Sequence, residues 1–260
     1  MGRPQYLALL AASLLFAGLY FGFDTKPAGQ KKIEQSREIA GEATTLPTLL
    51  ESAVAALEPA QRQQMADLES AASGAKTDAD RAESLKQLSA WWYKHGNPPV
   101  AAGIAEQVAE LERTDAAWSV AGASFFNALV GTQDPTLRKF CADHALKAFE
   151  SAASLAPDKV EHRVNLALVY SENPPPDNPM KAVLMLRDLE SKHSDAPSVY
   201  NALGRLAIKT NQWERAIERL EKARSLDNTN PNTPCLLAKA YEGAGNTEKA
   251  NEFARICNSR

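Results

Sequence analysis

Residues 203–223 read LGRLAIKTNQWERAIERLEKA, and residues 237–257 read LAKAYEGAGNTEKANEFARIC. The second stretch begins 34 residues after the first, and the residue types keep their order. The matched pairs are Leu203 with Leu237, Gly204 with Ala238, Ala216 with Ala250, and Ala223 with Cys257. A fixed period of this length indicates a repeated supersecondary unit. Because apolar and small residues recur at helical spacing, each unit is predicted to be a pair of helices.

Three looser copies precede these two stretches. Each opens with a small residue that is followed three positions later by an aromatic residue. These residues are Ser89 and Trp92 in the first copy, Gly122 and Phe125 in the second, and Ala167 and Tyr170 in the third. Short side chains are needed where two helix axes approach to about 8–10 Å. One helix pair cannot bury its apolar face alone, so the units are expected to stack and share a core.

The period of 34 residues, with its small residue, aromatic residue and two alanines, resembles the tetratricopeptide repeat family. The resemblance implies an all-α fold, a right-handed α-solenoid of helical hairpins. It covers five units, at residues 82–115, 116–159, 160–196, 197–230 and 231–260. Residues 45–75 have leucines at helical spacing, interrupted at Glu58-Pro59, and are predicted to be capping helices that form a degenerate hairpin.

Two units are longer than the common period, and the additions lie between the paired helices, at about 127–140 and at 172–179. Asp134 followed by Pro135 favours a helix start, so the first addition is predicted to lengthen both helices. The second contains three consecutive prolines and is expected to be a stiff turn. Turns inside other units are expected at residues with turn preference, Gly96, Asn211 and Gly245-Asn246.

The N-terminal residues 6–23 form an uncharged, mostly apolar run. As a helix this run would extend roughly 27 Å, enough to cross the hydrocarbon core of a bilayer. It is longer than the usual apolar core of a signal peptide and has no small-x-small cleavage site, so residues 1–23 are predicted to be an uncleaved membrane anchor. A signal peptide is the alternative. Residues 24–44 begin with Pro27 and Gly29 near the anchor and are predicted to be a linker.

The charges around this run favour different orientations. Lys26, Lys31, Lys32 and Arg37 follow it and only Arg3 precedes it, which favours a cytoplasmic body. A short basic start followed directly by an apolar run is instead typical of export signals. We expect a single-pass membrane protein whose body is extracytoplasmic, in a periplasm.

Charge and cysteine content exclude several classes of function. A net charge of −3 does not favour a nucleic-acid-binding protein, which usually has a basic domain. The three cysteines, Cys141, Cys235 and Cys257, are predicted to be buried thiols. A disulfide between Cys235 and Cys257 is the alternative if the compartment is oxidising.

The sequence predicts no catalytic activity, cofactor or metal site. No glycine-rich phosphate loop, nucleophile elbow or zinc-protease helix is present. Cys141 and His144 would share a helix face, but no third group is identified that would orient them as a nucleophile and base. The four histidines lack the spacing of metal ligands and lie at positions His95, His144, His162 and His193.

The resemblance implies a protein-binding groove lined by the first helices of successive units. Residues carried over to that groove by register are Lys86, Gln87, Tyr93, Lys94, Asn127, Asn165, Asn201, Arg205, Lys209 and Lys239. Asparagine amides there would pair with the backbone of an extended peptide. The basic residues at the C-terminal end favour acidic segments, although the family's carboxylate-clamp pattern is not matched.

The predicted function is therefore a membrane-tethered scaffold or adaptor that binds a protein or peptide and assists assembly of an envelope complex. A self-associating structural subunit is one alternative. The other is an accessory factor similar to the anchored tetratricopeptide proteins of cytochrome c biogenesis, although no haem-associated motif is present.

Overall fold

The computed structural model describes residues 44–259, which form twelve helices and no strand within that range. The helices are α1 Leu46–Ala55, α2 Pro59–Ser73, α3 Asp78–Lys94, α4 Pro98–Glu112, α5 Asp115–Gly131, α6 Pro135–Leu155, α7 Val160–Glu172, α8 Lys181–Lys192, α9 Pro197–Lys209, α10 Trp213–Leu226, α11 Asn232–Gly243 and α12 Thr247–Asn258. The predicted anchor and most of the predicted linker lie outside the described residues.

Helices α3 to α12 form five successive pairs, from α3 with α4 to α11 with α12. The second helix of each pair packs against the first helix of the next pair. The first helices also contact one another from α5 to α7, from α7 to α9 and from α9 to α11. This pattern of neighbours is that of a linear helical array, in which each unit contacts the units beside it.

Small residues allow the paired helices to approach closely. A Cβ atom at Gly204 would lie 2.5 Å from Cγ of Leu220, and one at Gly122 would lie 2.8 Å from the ring of Phe149. Real Cβ atoms are not found at such distances, so only glycine fits at these two crossings. The residues that the period marks as small therefore lie at the helix contacts for which they are predicted.

Three of the turns inside the pairs share one backbone geometry. Gly96, Asn211 and Gly245 have φ angles of 77°, 55° and 77°. In each turn the following N–H donates to a carbonyl five residues earlier, as in a Schellman cap. The bonds are Asn97 N to Trp92 O at 3.0 Å, Gln212 N to Ala207 O at 2.8 Å and Asn246 N to Tyr241 O at 2.9 Å.

The N-terminal helices differ from the predicted degenerate hairpin. Helix α1 packs mainly on α4, whereas α2 packs on α3. The contact of α1 depends on Gly103, because a Cβ there would lie 2.5 Å from Cδ1 of Leu46. The chain leaves α1 before Glu58, whose β-region backbone suits the residue preceding a proline. The segment therefore covers the first unit with two separately docked helices.

The longer second unit has lengthened helices, as predicted. Helix α5 has 17 residues and α6 has 21. The Asp134 carboxylate accepts hydrogen bonds from the N–H groups of Thr136 and Leu137, so it is the N-cap of α6. Within residues 44–259, no helix combines the length and the apolar composition needed to cross a membrane.

Candidate functional site

A groove runs along the first helices α5, α7, α9 and α11, with a volume of about 770 Å³. We call it the basic groove. It collects six of the residues predicted from the register, Asn127, Asn165, Asn201, Arg205, Lys209 and Lys239. Leu168 and Leu236 give its walls apolar surface between these polar groups. The register therefore brings together residues that are more than one hundred positions apart in the chain.

The charge of the basic groove is carried by Arg205, Lys209 and Lys239, with Glu172 as the only carboxylate among its lining residues. Lys209 does not offer a free charge, which corrects the prediction for this residue. Its Nζ donates to Oε2 of Glu172 at 2.9 Å and to the carbonyl oxygen of Ser171 at 2.7 Å. Lys209 thus joins α9 to the end of α7.

Arg205 and Lys239 are the charges that the groove presents. The Arg205 guanidinium lies 5.4 Å from the centre of the Phe126 ring, so a cation–π contact holds it at the groove wall. Among residues 44–259 neither Arg205 nor Lys239 lies within ion-pair distance of a carboxylate. Both side chains are therefore available to a negatively charged guest.

Asn201 is held in one orientation within this groove. The hydroxyl of the buried Thr233 donates to Oδ1 of Asn201 at 3.0 Å. The amide nitrogen of Asn201 has no acceptor among the described residues. Because Thr233 occupies the amide oxygen, the amide group can only act as a donor toward further partners. Asn127 and Asn165 add amide groups along the same path.

The remaining predicted residues do not belong to the basic groove, which corrects that part of the prediction. Lys86 and Tyr93 line a separate cavity between α3, α4 and α5, and Gln87 and Lys94 line neither cavity. The physical reason is that α3 and α5 do not pack closely against each other, unlike the later first helices. The surface of the first unit is thus distinct from that of the later units.

The sequence gave no sign of a buried carboxylate that links α4 to α6. Glu106 accepts hydrogen bonds from His144 Nδ1 at 2.6 Å and Lys147 Nζ at 2.8 Å. Burial raises the pKa of the Glu106 carboxyl, but the bonds from His144 and Lys147 outweigh burial, so this pKa lies below its usual value. His144 also stacks on Phe125, at 4.9 Å between ring centres. The cluster is a buried ionic link between neighbouring units.

A second link joins the start of α5 to α7. The Asp115 carboxylate accepts from Lys159 Nζ at 2.6 Å and lies 3.1 Å from Nε2 of the buried His162. The hydrogen bonds from Lys159 and His162 lower the pKa of the Asp115 carboxyl. Two of the four histidines are therefore in contact with carboxylates, a pairing that their sequence spacing did not indicate.

The cysteines depart from the prediction of three buried thiols. Cys235 and Cys257 form a disulfide with a Cα–Cα distance of 4.9 Å, which ties the first turn of α11 to the last turn of α12. Cys141 is a buried free thiol, and burial raises its pKa to about 12. A thiol held in the neutral form cannot serve as a nucleophile.

No family model matches the chain, and no curated protein matches it. Among solved structures, MamA from Desulfovibrio magneticus RS-1 is 17% identical with a TM-score of 0.39, and the match covers 68% of this chain and 93% of that chain. BtubC from P. vanneervenii is 16% identical with a TM-score of 0.46, covering 78% of this chain and 92% of that chain. Likenesses of this strength carry no argument about family or function, so the function has to follow from the chain's own residues.

Proposed function

We propose that this chain is a tetratricopeptide-type scaffold without catalytic activity, and that its basic groove binds an extended, acidic segment of a partner protein. The observation that carries the proposal is the pair of cations, Arg205 and Lys239, left without a carboxylate on a groove whose single carboxylate is paired to Lys209. A chain with a net charge of −3 has concentrated positive charge at this one surface. Such a surface attracts carboxylates and repels basic segments.

The groove supplies both kinds of contact that an extended segment needs. Carboxylate side chains of the guest accept charge-assisted hydrogen bonds from Arg205 and Lys239, each worth about 1.5–3 kcal/mol. The amide groups of Asn127, Asn165 and Asn201 pair with the guest's backbone, which has no partners of its own in an extended conformation. Because the two cations are at the surface, salt will weaken the binding.

The experiment is titration calorimetry of the full-length protein, in a mild nonionic detergent, with a peptide of repeating Glu-Gly-Ser. The matched control peptide repeats Gln-Gly-Ser. We expect the glutamate peptide to bind and the glutamine peptide to bind at least about tenfold more weakly, from the loss of one or more charge-assisted bonds.

Variants locate the binding surface. The changes Arg205→Glu and Lys239→Glu should each lower affinity for the glutamate peptide, whereas Lys222→Glu is a control because Lys222 is an exposed cation of α10 outside the groove. Equal losses in all three variants would indicate a general charge effect and would contradict a specific groove.

We further propose that the scaffold is tethered by residues 6–23 with its body outside the cytoplasm. Disulfides persist in oxidising compartments, so the Cys235–Cys257 bond supports an extracytoplasmic body. A role in assembling an envelope complex follows from that location and stays a proposal. The test is alkylation of intact cells before lysis, followed by mass analysis: a disulfide in the cell supports this location, and two alkylated cysteines contradict it.

The self-associating alternative has less support. The last helix, α12, has an exposed face that includes Asn251, Glu252 and Arg255. Charged and amide side chains of this kind favour contact with water over stacking of a second array. The size of the full-length protein in detergent tests it, because a dimer that survives dilution would favour the self-associating subunit.

A further inference from the structure

The cavity between α3, α4 and α5 differs in chemistry from the basic groove. We call it the apolar pocket, and its volume is about 540 Å³, within the range of ligand-binding sites. Small aliphatic residues from all three helices make its walls, Ala90, Ala101, Ala105, Val108, Ala116 and Ala117. Alanine side chains line the space without filling it, so an apolar guest would contact the helices directly.

The polar groups of the apolar pocket are already paired. The Ser89 hydroxyl donates to the carbonyl oxygen of Ala101 at 2.8 Å, and the Ser124 hydroxyl donates to that of Val120 at 2.9 Å. Lys86 Nζ lies 2.6 Å from Oε1 of Glu112, which makes the charge at this edge neutral. A guest would therefore find apolar surface but few groups that could satisfy its own hydrogen-bonding atoms.

Two large apolar residues extend the pocket to the surface. Tyr93 is 60% exposed and Val120 is 61% exposed, and both belong to its lining. Exposed apolar surface that continues out of a cavity is typical of a surface that receives another macromolecule. A small molecule enclosed in the pocket would leave these two residues in water.

We propose that the apolar pocket docks the apolar face of an amphipathic helix from a partner protein. An extended segment would bury backbone N–H and C=O groups against walls without free partners, at a cost for each group. A helix satisfies its own backbone groups and presents only side chains. The chemistry of this guest is distinct from that of the acidic segment in the basic groove, so the inference goes beyond the proposed function.

The experiment measures binding of a hydrocarbon-stapled model helix to the full-length protein by fluorescence anisotropy. The helix has leucines at positions i, i+3, i+4 and i+7, with neutral polar residues elsewhere. Its control is a stapled helix of the same composition with leucines dispersed around the axis. We expect the one-faced helix to bind at least about tenfold more tightly, because only it can bury its leucines together.

Two variants assign the binding to the pocket. Ala90→Glu and Val120→Asp place a carboxylate at exposed positions of the lining, so they should lower affinity by about tenfold or more without disturbing the core. Leu184→Asp is the matched control, since Leu184 is 57% exposed on α8 and lies outside the pocket. Lys239→Glu should leave helix binding unchanged, which separates failure here from failure of the basic groove.

Three results would overturn the proposal. The first is equal affinity for the one-faced and dispersed helices. The second is unchanged binding in both Ala90→Glu and Val120→Asp. The third is a full-length dimer, seen by sedimentation, that Val120→Asp dissociates, because a second copy of this chain would then occupy the pocket.

Discussion

Gly204 of α9 lies directly against Leu220 of α10, and a Cβ atom at Gly204 would stand 2.5 Å from Cγ of that leucine. Leu220 is fully buried, so it has no free space into which it could move. This contact sets how closely the helices of the fourth pair approach. The same relationship holds between Gly122 and Phe149 in the second pair.

The change Gly204→Ala should destabilise the protein, although alanine is the better helix former. The extra methyl group overpacks the contact with Leu220, which typically costs about 1–3 kcal/mol. The matched control is Gly131→Ala at the end of α5, where an added Cβ meets no atom within 4 Å. Chemical denaturation should show a loss for Gly204→Ala and no loss for Gly131→Ala, and equal effects would contradict a tight crossing at Gly204.

Glu106→Gln should lower the free energy of unfolding at neutral pH by about 1–3 kcal/mol, because it weakens the bonds to His144 and Lys147. The pKa of Glu106 is lowered on folding from the ordinary value of 4.5. Its contribution is therefore complete above that value and is lost as the pH falls through the folded-state pKa. The difference between wild type and variant should shrink in acid.

The control for this prediction is Glu110→Gln, which removes the same charge one turn away on α4. Glu110 is more than half exposed and lies 4.0 Å from Lys147, and exposed pairs contribute at most about 1 kcal/mol. Denaturation at several pH values compares the two variants. A pH-independent loss in Glu106→Gln would mean that the ionised carboxylate does not stabilise the fold.

The double change Cys235→Ala with Cys257→Ala should lower the stability of the last pair by about 2–4 kcal/mol, since the bond closes a loop across a sequence separation of 22. Reductant should lower the unfolding midpoint of the wild type toward that of the variant and leave the variant unchanged. Thermal unfolding with and without reductant measures both. A wild type that is insensitive to reductant would argue against a stabilising disulfide.

Features with a local cause could be predicted from the sequence. Asn211 and Gly245 recur 34 residues apart because each turn needs a residue that tolerates positive φ. Gly204 could be placed at a helix crossing because its period matches that of the alanines around it. Asn201, Arg205 and Lys239 fall in one groove for the same reason, since a fixed repeat carries its first helices along one surface.

Features that depend on distant partners could not be predicted. The contact of Leu46 with Gly103 joins segments outside the repeat pattern, so no period signals it. Glu106 meets its partners on α6 across separations of 38 and 41 residues, and the pairing of Lys209 with Glu172 depends on how α7 ends. The disulfide depends on the redox compartment as well as on the approach of α11 and α12, and composition shows neither.

The most direct test of the central claim, that Arg205 and Lys239 recognise carboxylates in the basic groove, is a charge exchange measured by titration calorimetry. The double variant Arg205→Glu with Lys239→Glu is titrated with the Glu-Gly-Ser peptide and with a Lys-Gly-Ser peptide. The account predicts that the double variant loses the glutamate peptide and gains the lysine peptide, while the wild type binds only the former. A double variant that still binds the glutamate peptide with wild-type affinity would contradict it.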